Sequence, residues 1–258
     1  MSTSLSPHWL VKSSCARPVL RLFCFAYAGG NSSIYLDWQR SIHPGIEICP
    51  VQLPGRGARY HEAPYAAWSP LMADLSRLIA RHSEVPFAFF GHSLGALIAF
   101  ELARHCRMQR VAMPRHIIVS GCTAPHLRRP PRRLYELDDD GLIAAMAEHN
   151  GTPRQLLGNR ELMELVLPVI RADFRLGDAY SFVPDFPLAV PLTVMAGRAD
   201  PYTSPAEIAQ WARHSVAAVE TRWFDGDHFF INDDSADMVS ALNEALIPIL
   251  VGLDSHHS

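Results

Sequence analysis

The pentapeptide Gly91-His92-Ser93-Leu94-Gly95 constrains the fold of this 258-residue chain more than any other stretch. It has the pattern G-x-S-x-G, with an apolar run at 86–90 before it and a helix-favouring run at 96–102 after it. A strand that turns sharply into a helix around such a serine holds the hydroxyl clear of the sheet. We therefore predict that Ser93 is a nucleophile, the alternative being an ordinary serine that caps the N-terminus of a helix.

Segments typical of strands alternate with segments typical of helices along most of the chain. The predicted strands lie at 19–25, 46–51, 86–90, 116–120, 191–196 and 219–224. This alternation is typical of βαβ units, which form a parallel sheet through right-handed crossovers. The sequence therefore predicts the α/β class, with a mostly parallel central sheet that is flanked by helices.

The alternation stops between residues 124 and 185. This part has no convincing strand, and helical patterns occur near 139–149 and 160–173. Since ligands bind at the carboxyl edge of open α/β sheets, we expect a helical lid insertion above that edge. The predicted organisation is a core of residues 1–123 and 186–258 with an insertion at 124–185.

A serine hydroxyl is a weak nucleophile and needs a base, which an acid in turn orients. In this type of fold both follow the serine along the chain. His228 is the predicted base because it follows the last predicted strand, and Asp200, which follows the strand before, is the predicted acid. Asp225 and Asp227 lie too close in sequence to His228 to reach its ring easily, and Asp178 is a weaker alternative inside the insertion. Asp200 could otherwise be a turn-forming residue.

Two backbone N–H groups are needed to stabilise the oxyanion of such a reaction. One is that of Leu94, directly after the serine. We assign the other to Tyr27, with Ala28 as the alternative, because glycines in the loop 26–30 allow close approach of the backbone. The same loop could bind phosphate, but neither G-x-x-x-x-G-K-[ST] nor G-x-G-x-x-G accompanies it, which argues against nucleotide binding.

Composition excludes several other classes of function. The chain has 23 basic and 26 acidic residues, which gives no global attraction to nucleic acid. Five cysteines without CxxC spacing indicate a reducing, cytoplasmic location and no disulfide framework. No H-E-x-x-H or paired Cys/His spacing predicts a metal site. No apolar stretch approaches the roughly 18 residues of a membrane span. Residues 17–30 have the outline of a signal peptide, but Arg21 interrupts their apolar part, and we therefore expect a first core strand there.

Six stretches make the chain resemble the type II thioesterases, the free-standing partners of non-ribosomal peptide and polyketide synthases. They are FCFAYAGG at 23–30, QLPGRGAR at 52–59, GHSLGA at 91–96, LPVIRADFRLGDAY at 167–180, GRADP at 197–201 and GDHFF at 226–230. GHSLGA occurs in many hydrolases, whereas the Pro-Gly-Arg-Gly loop together with the Ala-Gly-Gly loop is much more specific. The resemblance implies the α/β-hydrolase fold, and Ser93, Asp200 and His228 match the catalytic triad of that family.

The activity that the resemblance implies is the hydrolysis of acyl thioesters on the phosphopantetheine arm of carrier proteins, which clears stalled or wrongly loaded groups. It implies no cofactor beyond the arm that the substrate carries, and we expect a monomer. A medium-chain fatty-acyl thioesterase or a general carboxylesterase would use the same triad. A non-catalytic binding protein is the least favoured alternative because all three triad residue types are present.

A basic stretch begins the predicted insertion. It contains Arg128, Arg129, Arg132 and Arg133. We predict that these arginines form a docking surface for an acidic carrier protein or its phosphate, the alternative being a solvated face without a partner. For Arg56, in the Pro-Gly-Arg-Gly loop, we expect structural hydrogen bonds rather than contact with substrate.

Overall fold

The computed structural model describes residues 8–11, 15–127, 130–148, 157–232 and 235–254. Its sheet has six strands in the order β2-β1-β3-β4-β5-β6, and every neighbouring pair is parallel. The strands are β1 (Leu20–Phe25), β2 (Ile46–Pro50), β3 (Phe87–His92), β4 (Ile117–Ser120), β5 (Leu192–Gly197) and β6 (Val219–Phe224). The predicted parallel sheet is therefore confirmed.

The strand order reverses between β1 and β3. The chain moves from β1 to β2 on one side of the sheet, and from β3 through β4 and β5 to β6 on the other. Loops that leave the carboxyl ends of β1 and β3 therefore diverge and open a crevice between them, which is where open α/β sheets bind ligands. The loop 26–30 follows β1 and Ser93 follows β3, so both predicted parts of the site begin at this crevice.

Helices cover both faces of the sheet. They are α1 (Trp68–Arg81), α2 (Leu94–Gln109), α3 (Asp139–Glu148), α4 (Arg160–Asp178), α5 (Pro205–Ala209) and α6 (Ser235–Asp254). Because side chains alternate along a strand, β1 contributes Phe23 and Phe25 to the core beneath α1 and α2, and Leu22 and Cys24 to the core beneath α6. Both faces are therefore apolar, as a buried parallel sheet requires.

Helix α6 differs from the sequence expectation about membrane spans. By length and composition alone, Ala236–Leu253 is long and apolar enough to cross a membrane. Four residues at intervals of four, Met238, Leu242, Leu246 and Leu250, are nevertheless buried in the core against the sheet. A helix that packs on a sheet in this way passes the same test of length and composition, so the finding is weak evidence for a membrane span.

The described residues between β4 and β5 form helices and contain no strand before the bridge at Leu188. Helix α3 matches the helical pattern near 139–149, while α4 continues five residues beyond the predicted end at 173. The two helices share an apolar cluster of their own, which consists of Leu142, Met146, Met163, Leu167 and Ile170. This cluster is separate from the two cores of the sheet. We refer to residues 124–185 as the 124–185 segment.

Candidate active site

Ser93 occupies a sharp turn between β3 and α2. Its backbone has φ 54° and ψ −113°, a conformation that residues with a side chain rarely adopt. A Cβ atom at Gly91 would overlap the carbonyl group of Gly95, and one at Gly95 would overlap the carbonyl group of Phe25. Glycine is therefore required at both positions, as the G-x-S-x-G pattern predicts. The turn leaves Ser93 partly exposed while His92 and Leu94 on either side are buried.

His228 and Asp200 form a buried pair in the loops after β6 and β5. The Nδ1 atom of His228 lies 2.9 Å from Oδ2 of Asp200, and the Asp200 side chain has no exposed surface. Oδ1 of Asp200 accepts a hydrogen bond from the backbone N–H of Tyr202 at 2.8 Å, so both carboxylate oxygens are held. When the Nδ1–H group donates to Asp200, Nε2 is the ring nitrogen that can accept a proton.

Ser93 and His228 line the same cavity, which has a volume of about 400 Å³. Its wall also includes Leu97, Cys122 and Phe174. The structure thus brings Ser93 and the His228–Asp200 pair to one place, although 107 residues separate Ser93 from Asp200 in the sequence. A volume of this size is within the range of pockets that bind small ligands.

The predicted oxyanion donors belong to two segments that border the cavity, the loop 26–30 and the start of α2. Leu94 is the first residue of α2, where backbone N–H groups have no partner within the helix. Ala28 lines the cavity together with Leu94, whereas the ring of Tyr27 packs against His92 and Phe229 with centroid distances of 5.9 and 5.0 Å. The backbone of the loop 26–30 therefore reaches the site, and the choice between Tyr27 and Ala28 stays a prediction.

His92 lies beneath the site rather than facing the cavity. It is fully buried, its ring centroid is 5.1 Å from that of His228, and its Nδ1 lies 2.9 Å from Oγ of Ser120. Burial lowers the pKa of His92 well below its usual value, so this ring is uncharged at neutral pH. Nothing in the sequence indicates that the ring of His92 packs against that of His228.

The alternative acids make other contacts. Asp178 lines the cavity, but its Oδ2 accepts the backbone N–H of Arg133 at 2.9 Å. Asp225 is almost fully exposed and pairs with Arg198 at 3.2 Å, while Oδ1 of Asp227 accepts the backbone N–H of Phe229. Asp200 is therefore the carboxylate that contacts His228 at Nδ1.

Two of the four predicted docking arginines, Arg128 and Arg129, lie outside the described residues. Arg132 lines the cavity. Burial raises the pKa of the Tyr202 hydroxyl, and the hydrogen bond with Arg132 opposes this change. Arg133 is largely exposed and lies 3.6 Å from Glu136. Of the two arginines that the structure describes, Arg132 thus reaches the wall of the site itself.

Sequence reasoning missed Asp173, an acidic residue of α4 that lines the cavity although only 4% of its surface is exposed. It forms an ion pair with Arg56 at 2.8 Å. The prediction that Arg56 makes structural hydrogen bonds agrees with this contact. The signal in the sequence is a lone aspartate on the side of α4 that carries Ile170 and Leu167, where an uncompensated charge would be costly.

Residues 20–246 match the family described as the thioesterase domain. The chain belongs to the thioesterase family. The match covers all six strands and the residues of the cavity. Membership agrees with the resemblance that the sequence motifs indicate, and it identifies the parallel sheet and its flanking helices as an α/β-hydrolase fold.

Individual relatives extend along nearly the whole chain. "Linear gramicidin dehydrogenase LgrE" of Brevibacillus parabrevis is 38% identical over 255 residues, which are 97% of each chain. "Thioesterase PikA5" of Streptomyces venezuelae is 34% identical over 237 residues, which are 88% of this chain and 81% of PikA5. The solved structure of the "type II thioesterase BorB from the borrelidin biosynthetic cluster" is 28% identical with a TM-score of 0.82, and the match covers 94% of this chain and 98% of BorB.

The name of LgrE describes a dehydrogenase, whereas the family and the other two relatives are thioesterases. A dinucleotide-binding α/β protein has G-x-G-x-x-G at the turn after its first strand. This chain has Ala26-Tyr27-Ala28-Gly29-Gly30 after β1 instead. The chain is accordingly similar to LgrE in sequence, while the turn after β1 lacks the glycine pattern of a dinucleotide-binding protein.

Proposed function

We propose that this protein is a type II thioesterase that hydrolyses acyl thioesters on the phosphopantetheine arm of carrier proteins in a peptide or polyketide synthase. The observation that carries the proposal is the meeting of the Ser93 turn with the His228–Asp200 pair in one cavity, in a chain of the thioesterase family. A relative whose name refers to linear gramicidin and a type II thioesterase from the borrelidin biosynthetic cluster support the choice of partner. We place the enzyme in the cytoplasm as a monomer.

In the first half of the reaction, Ser93 Oγ attacks the thioester carbonyl carbon while Nε2 of His228 removes the hydroxyl proton. The carbonyl oxygen becomes an oxyanion, which the N–H group of Leu94 and that of Tyr27 or Ala28 stabilise. The C–S bond then breaks, and the departing sulfur takes the proton from His228. This step leaves the acyl group as an ester on Ser93 and the carrier arm as a free thiol.

In the second half, water attacks the ester carbonyl and gives a proton to His228. The bond between the acyl carbon and Ser93 Oγ breaks, Ser93 recovers its proton from His228, and the free acid leaves. A thiol is a better leaving group than an amine. The departing sulfur of a thioester therefore needs less protonation by the general acid His228 than the nitrogen of an amide would. The buried carboxylate of Asp200 balances the charge of His228 in both halves.

The 124–185 segment acts as the lid of this cavity in our proposal, as an insertion into a core formed by residues 1–123 and 186–258. Seven of the lining residues belong to it: Pro130, Arg132, Leu134, Asp173, Phe174, Gly177 and Asp178. Its separate apolar cluster supports this role, because a segment with a core of its own can move as a unit. A lid of this kind excludes water from the acyl-enzyme until the leaving thiol has departed.

Mass spectrometry of the enzyme with acylated carrier protein tests the proposal directly. The wild type should release free acid and free carrier thiol, and a fluorophosphonate should label Ser93. The Ser93→Ala variant should do neither. Turnover by Ser93→Ala at the wild-type rate would overturn the assignment of the whole site.

A substrate panel separates the proposed activity from its alternatives. We expect kcat/KM to be higher for acylated carrier protein than for the matching acyl-CoA or the p-nitrophenyl ester of the same acid. A preference for the simple ester would indicate a general carboxylesterase. A preference for medium-length fatty acyl chains irrespective of the carrier would indicate a fatty-acyl thioesterase.

The docking proposal concerns Arg132 and Arg133 among the described residues, together with Arg128 and Arg129. Replacing Arg132 with alanine should raise KM several-fold for an acylated carrier protein, and much less for an acyl thioester of a small thiol. Added salt should bring the KM values of the wild type and Arg132→Ala for the carrier protein closer together, because salt screens the charge of Arg132. Arg160→Ala is the matched control, since Arg160 is exposed on α4 and pairs within its own helix with Glu164. An equal effect on both substrates would argue for a purely structural Arg132.

A further inference from the structure

Asp173 and Arg56 connect helix α4 to the loop 26–30. Oδ1 of Asp173 accepts a hydrogen bond from Nη2 of Arg56 at 2.8 Å, and Oδ2 accepts the backbone N–H of Gly29 at 2.8 Å. Nη1 of Arg56 donates to the carbonyl oxygen of Gly30 at 2.9 Å. The two side chains thus hold two successive residues of the loop, Gly29 through its N–H and Gly30 through its C=O. We call this arrangement the Arg56–Asp173 clamp.

Backbone packing around the clamp is equally close. A Cβ atom at Gly29, whose φ is +73°, would come within 2.8 Å of Cγ1 of Ile170. One at Gly55, whose φ is +83°, would come within 2.8 Å of Cγ2 of Val169. Helix α4 therefore lies directly on the two glycine loops, with Asp173 one helical turn beyond this contact. Of the 124–185 segment, α4 is the part attached to the core by this contact.

The clamp lies next to the predicted oxyanion donors. Gly29 follows Ala28 directly and Tyr27 by two residues, and both Ala28 and Asp173 line the cavity. We propose that Asp173 is a positioning residue, which holds the loop 26–30 so that its oxyanion N–H group points at the substrate carbonyl. This inference rests on the serine-hydrolase mechanism proposed above.

The chemistry of the pair favours positioning over stability. The exposed fractions of the Arg56 and Asp173 side chains are 9% and 5%, so both charged groups are largely shielded from solvent. A buried ion pair of this kind is weak evidence for stability, since apolar side chains of similar volume often replace it without loss. What apolar side chains cannot replace is the acceptor for the N–H of Gly29. A loop that contains two glycines has many accessible conformations, and that hydrogen bond selects one of them.

Two double variants isolate this hydrogen bond. Arg56→Met with Asp173→Asn removes the ion pair but leaves an amide oxygen that accepts from Gly29. Arg56→Met with Asp173→Leu removes the ion pair and the acceptor together. Both lack the bond from Arg56 to Gly30 and neither leaves an unpaired buried charge. They differ in the acceptor for the N–H of Gly29 and in the amide NH2 group that asparagine alone carries.

We expect kcat of the Asn double variant to exceed that of the Leu double variant by about tenfold to a hundredfold, with little difference in KM, because small misplacements of a catalytic group have effects of this order. A boronic acid that mimics the tetrahedral oxyanion should bind the Leu double variant more weakly by a similar factor. Thermal melting should give similar Tm values for the two variants. Equal kcat and equal boronate affinity would overturn the proposal and leave the clamp a structural feature.

Asp139→Asn is the matched control for disturbing the 124–185 segment. Asp139 pairs with Arg171 of α4 at 2.6 Å on the exposed side of the segment, and it does not touch the loop 26–30. This variant should keep the wild-type kcat and boronate affinity.

Fluorophosphonate labelling separates failure of the proposed function from failure of the role of Asp173. If Ser93 is not labelled in the wild type, the proposed function fails; if it is labelled but the two double variants behave alike, only the role of Asp173 fails.

Discussion

Nδ1 of His228 lies 2.9 Å from Oδ2 of Asp200, and the carboxylate is completely enclosed by protein. A buried carboxylate at this distance fixes both the orientation of the ring and the nitrogen that carries the proton. The second oxygen of Asp200 is fixed by the backbone of Tyr202. The orientation of the base therefore depends on a charge that has no access to water and cannot be replaced by a neutral group without consequence.

Replacing Asp200 with asparagine should lower kcat by a factor on the order of 10⁴, because an amide of the same shape leaves His228 in the wrong tautomer. KM should change much less, since Asp200 does not line the cavity. Steady-state kinetics with an acylated carrier protein measure both constants. Asp225→Asn is the matched control, as Asp225 is an exposed carboxylate three residues before His228, and it should keep the wild-type kcat. A loss below about tenfold in Asp200→Asn would contradict the role assigned to Asp200.

The sheet and the Ser93 turn could be predicted from the sequence because their signals are local. The apolar run before Gly91 and the helix after Gly95 define strand, turn and helix within about 20 residues. The positions of Asp200 and His228 follow from the same logic, since each comes after a strand whose carboxyl end lies at the same edge of the sheet.

The clamp could not be predicted in this way. Arg56 and Asp173 are 117 residues apart, and Gly29 and Asp173 are 144 residues apart. No period or turn signal in the sequence relates positions that only tertiary packing brings together. The expectation that no segment could span a membrane failed for a different reason. It counted uninterrupted apolar residues, and this count misses a helix such as α6, in which polar residues such as Asn243 are spread among apolar ones.

The backbone conformation of Ser93 predicts how substitutions there change the free energy of unfolding, without any substrate. Ser93 has a positive φ and its side chain makes no capping hydrogen bond to α2, so removing the hydroxyl costs no helix cap. Glycine adopts this backbone without strain, whereas alanine, like the native serine, is strained there. Ser93→Gly should therefore be more stable than Ser93→Ala by about 1 kcal/mol in urea denaturation, while both are inactive.

Ser76 provides the matched comparison for this pair. It lies inside α1, where the backbone is regular, so Ser76→Gly should be less stable than Ser76→Ala by about 1 kcal/mol. The two positions should thus give opposite signs. The same sign at both would mean that the Ser93 turn is not strained.

Buried histidines should make the protein sensitive to acid. Nε2 of His116 lies 2.8 Å from Oγ1 of Thr193, and burial lowers the pKa of His116 to about 4 from its usual 6.5. Between these two pH values the unfolded chain binds a proton at this residue and the native chain does not, so the free energy of unfolding falls as the pH falls from 6.5 to 4. The slope contributed by one such group reaches about 1.4 kcal/mol per pH unit.

Urea denaturation at several pH values measures this slope. His116→Gln should give a shallower fall between pH 6.5 and 4 than the wild type, because one proton-binding group of the unfolded state is gone. Burial, together with the nearby His126, lowers the pKa of His214 to about 4 as well, so part of the slope should remain in this variant. A slope identical to that of the wild type would show that His116 does not titrate on unfolding.

Gly177 is the position at which the width of the acyl cavity can be changed with least disturbance. It lies in α4 and lines the cavity, and a Cβ atom there would meet only Cδ1 of Leu94, at the ordinary contact distance of 3.8 Å. Alanine therefore fits, and Gly177→Ala should raise the free energy of unfolding by about 0.5–1 kcal/mol because glycine weakens helices. Gly177→Leu should extend further into the cavity and restrict the acyl chain.

We expect Gly177→Leu to lower kcat/KM for long acyl chains by more than tenfold, which is the loss expected when a pocket cannot admit two or more methylenes. The kcat/KM for acetyl thioesters should change little. A series of acyl thioesters of increasing length on one carrier protein measures this dependence. Gly252→Ala is the control, since Gly252 lies in α6 with nothing within 4 Å of the added methyl group; it should stabilise the helix without altering chain-length preference. Equal loss for acetyl and long-chain substrates in Gly177→Leu would mean that the acyl group does not pass beside Gly177, and the cavity wall formed by Leu97 and Cys122 would then be the place to look for it.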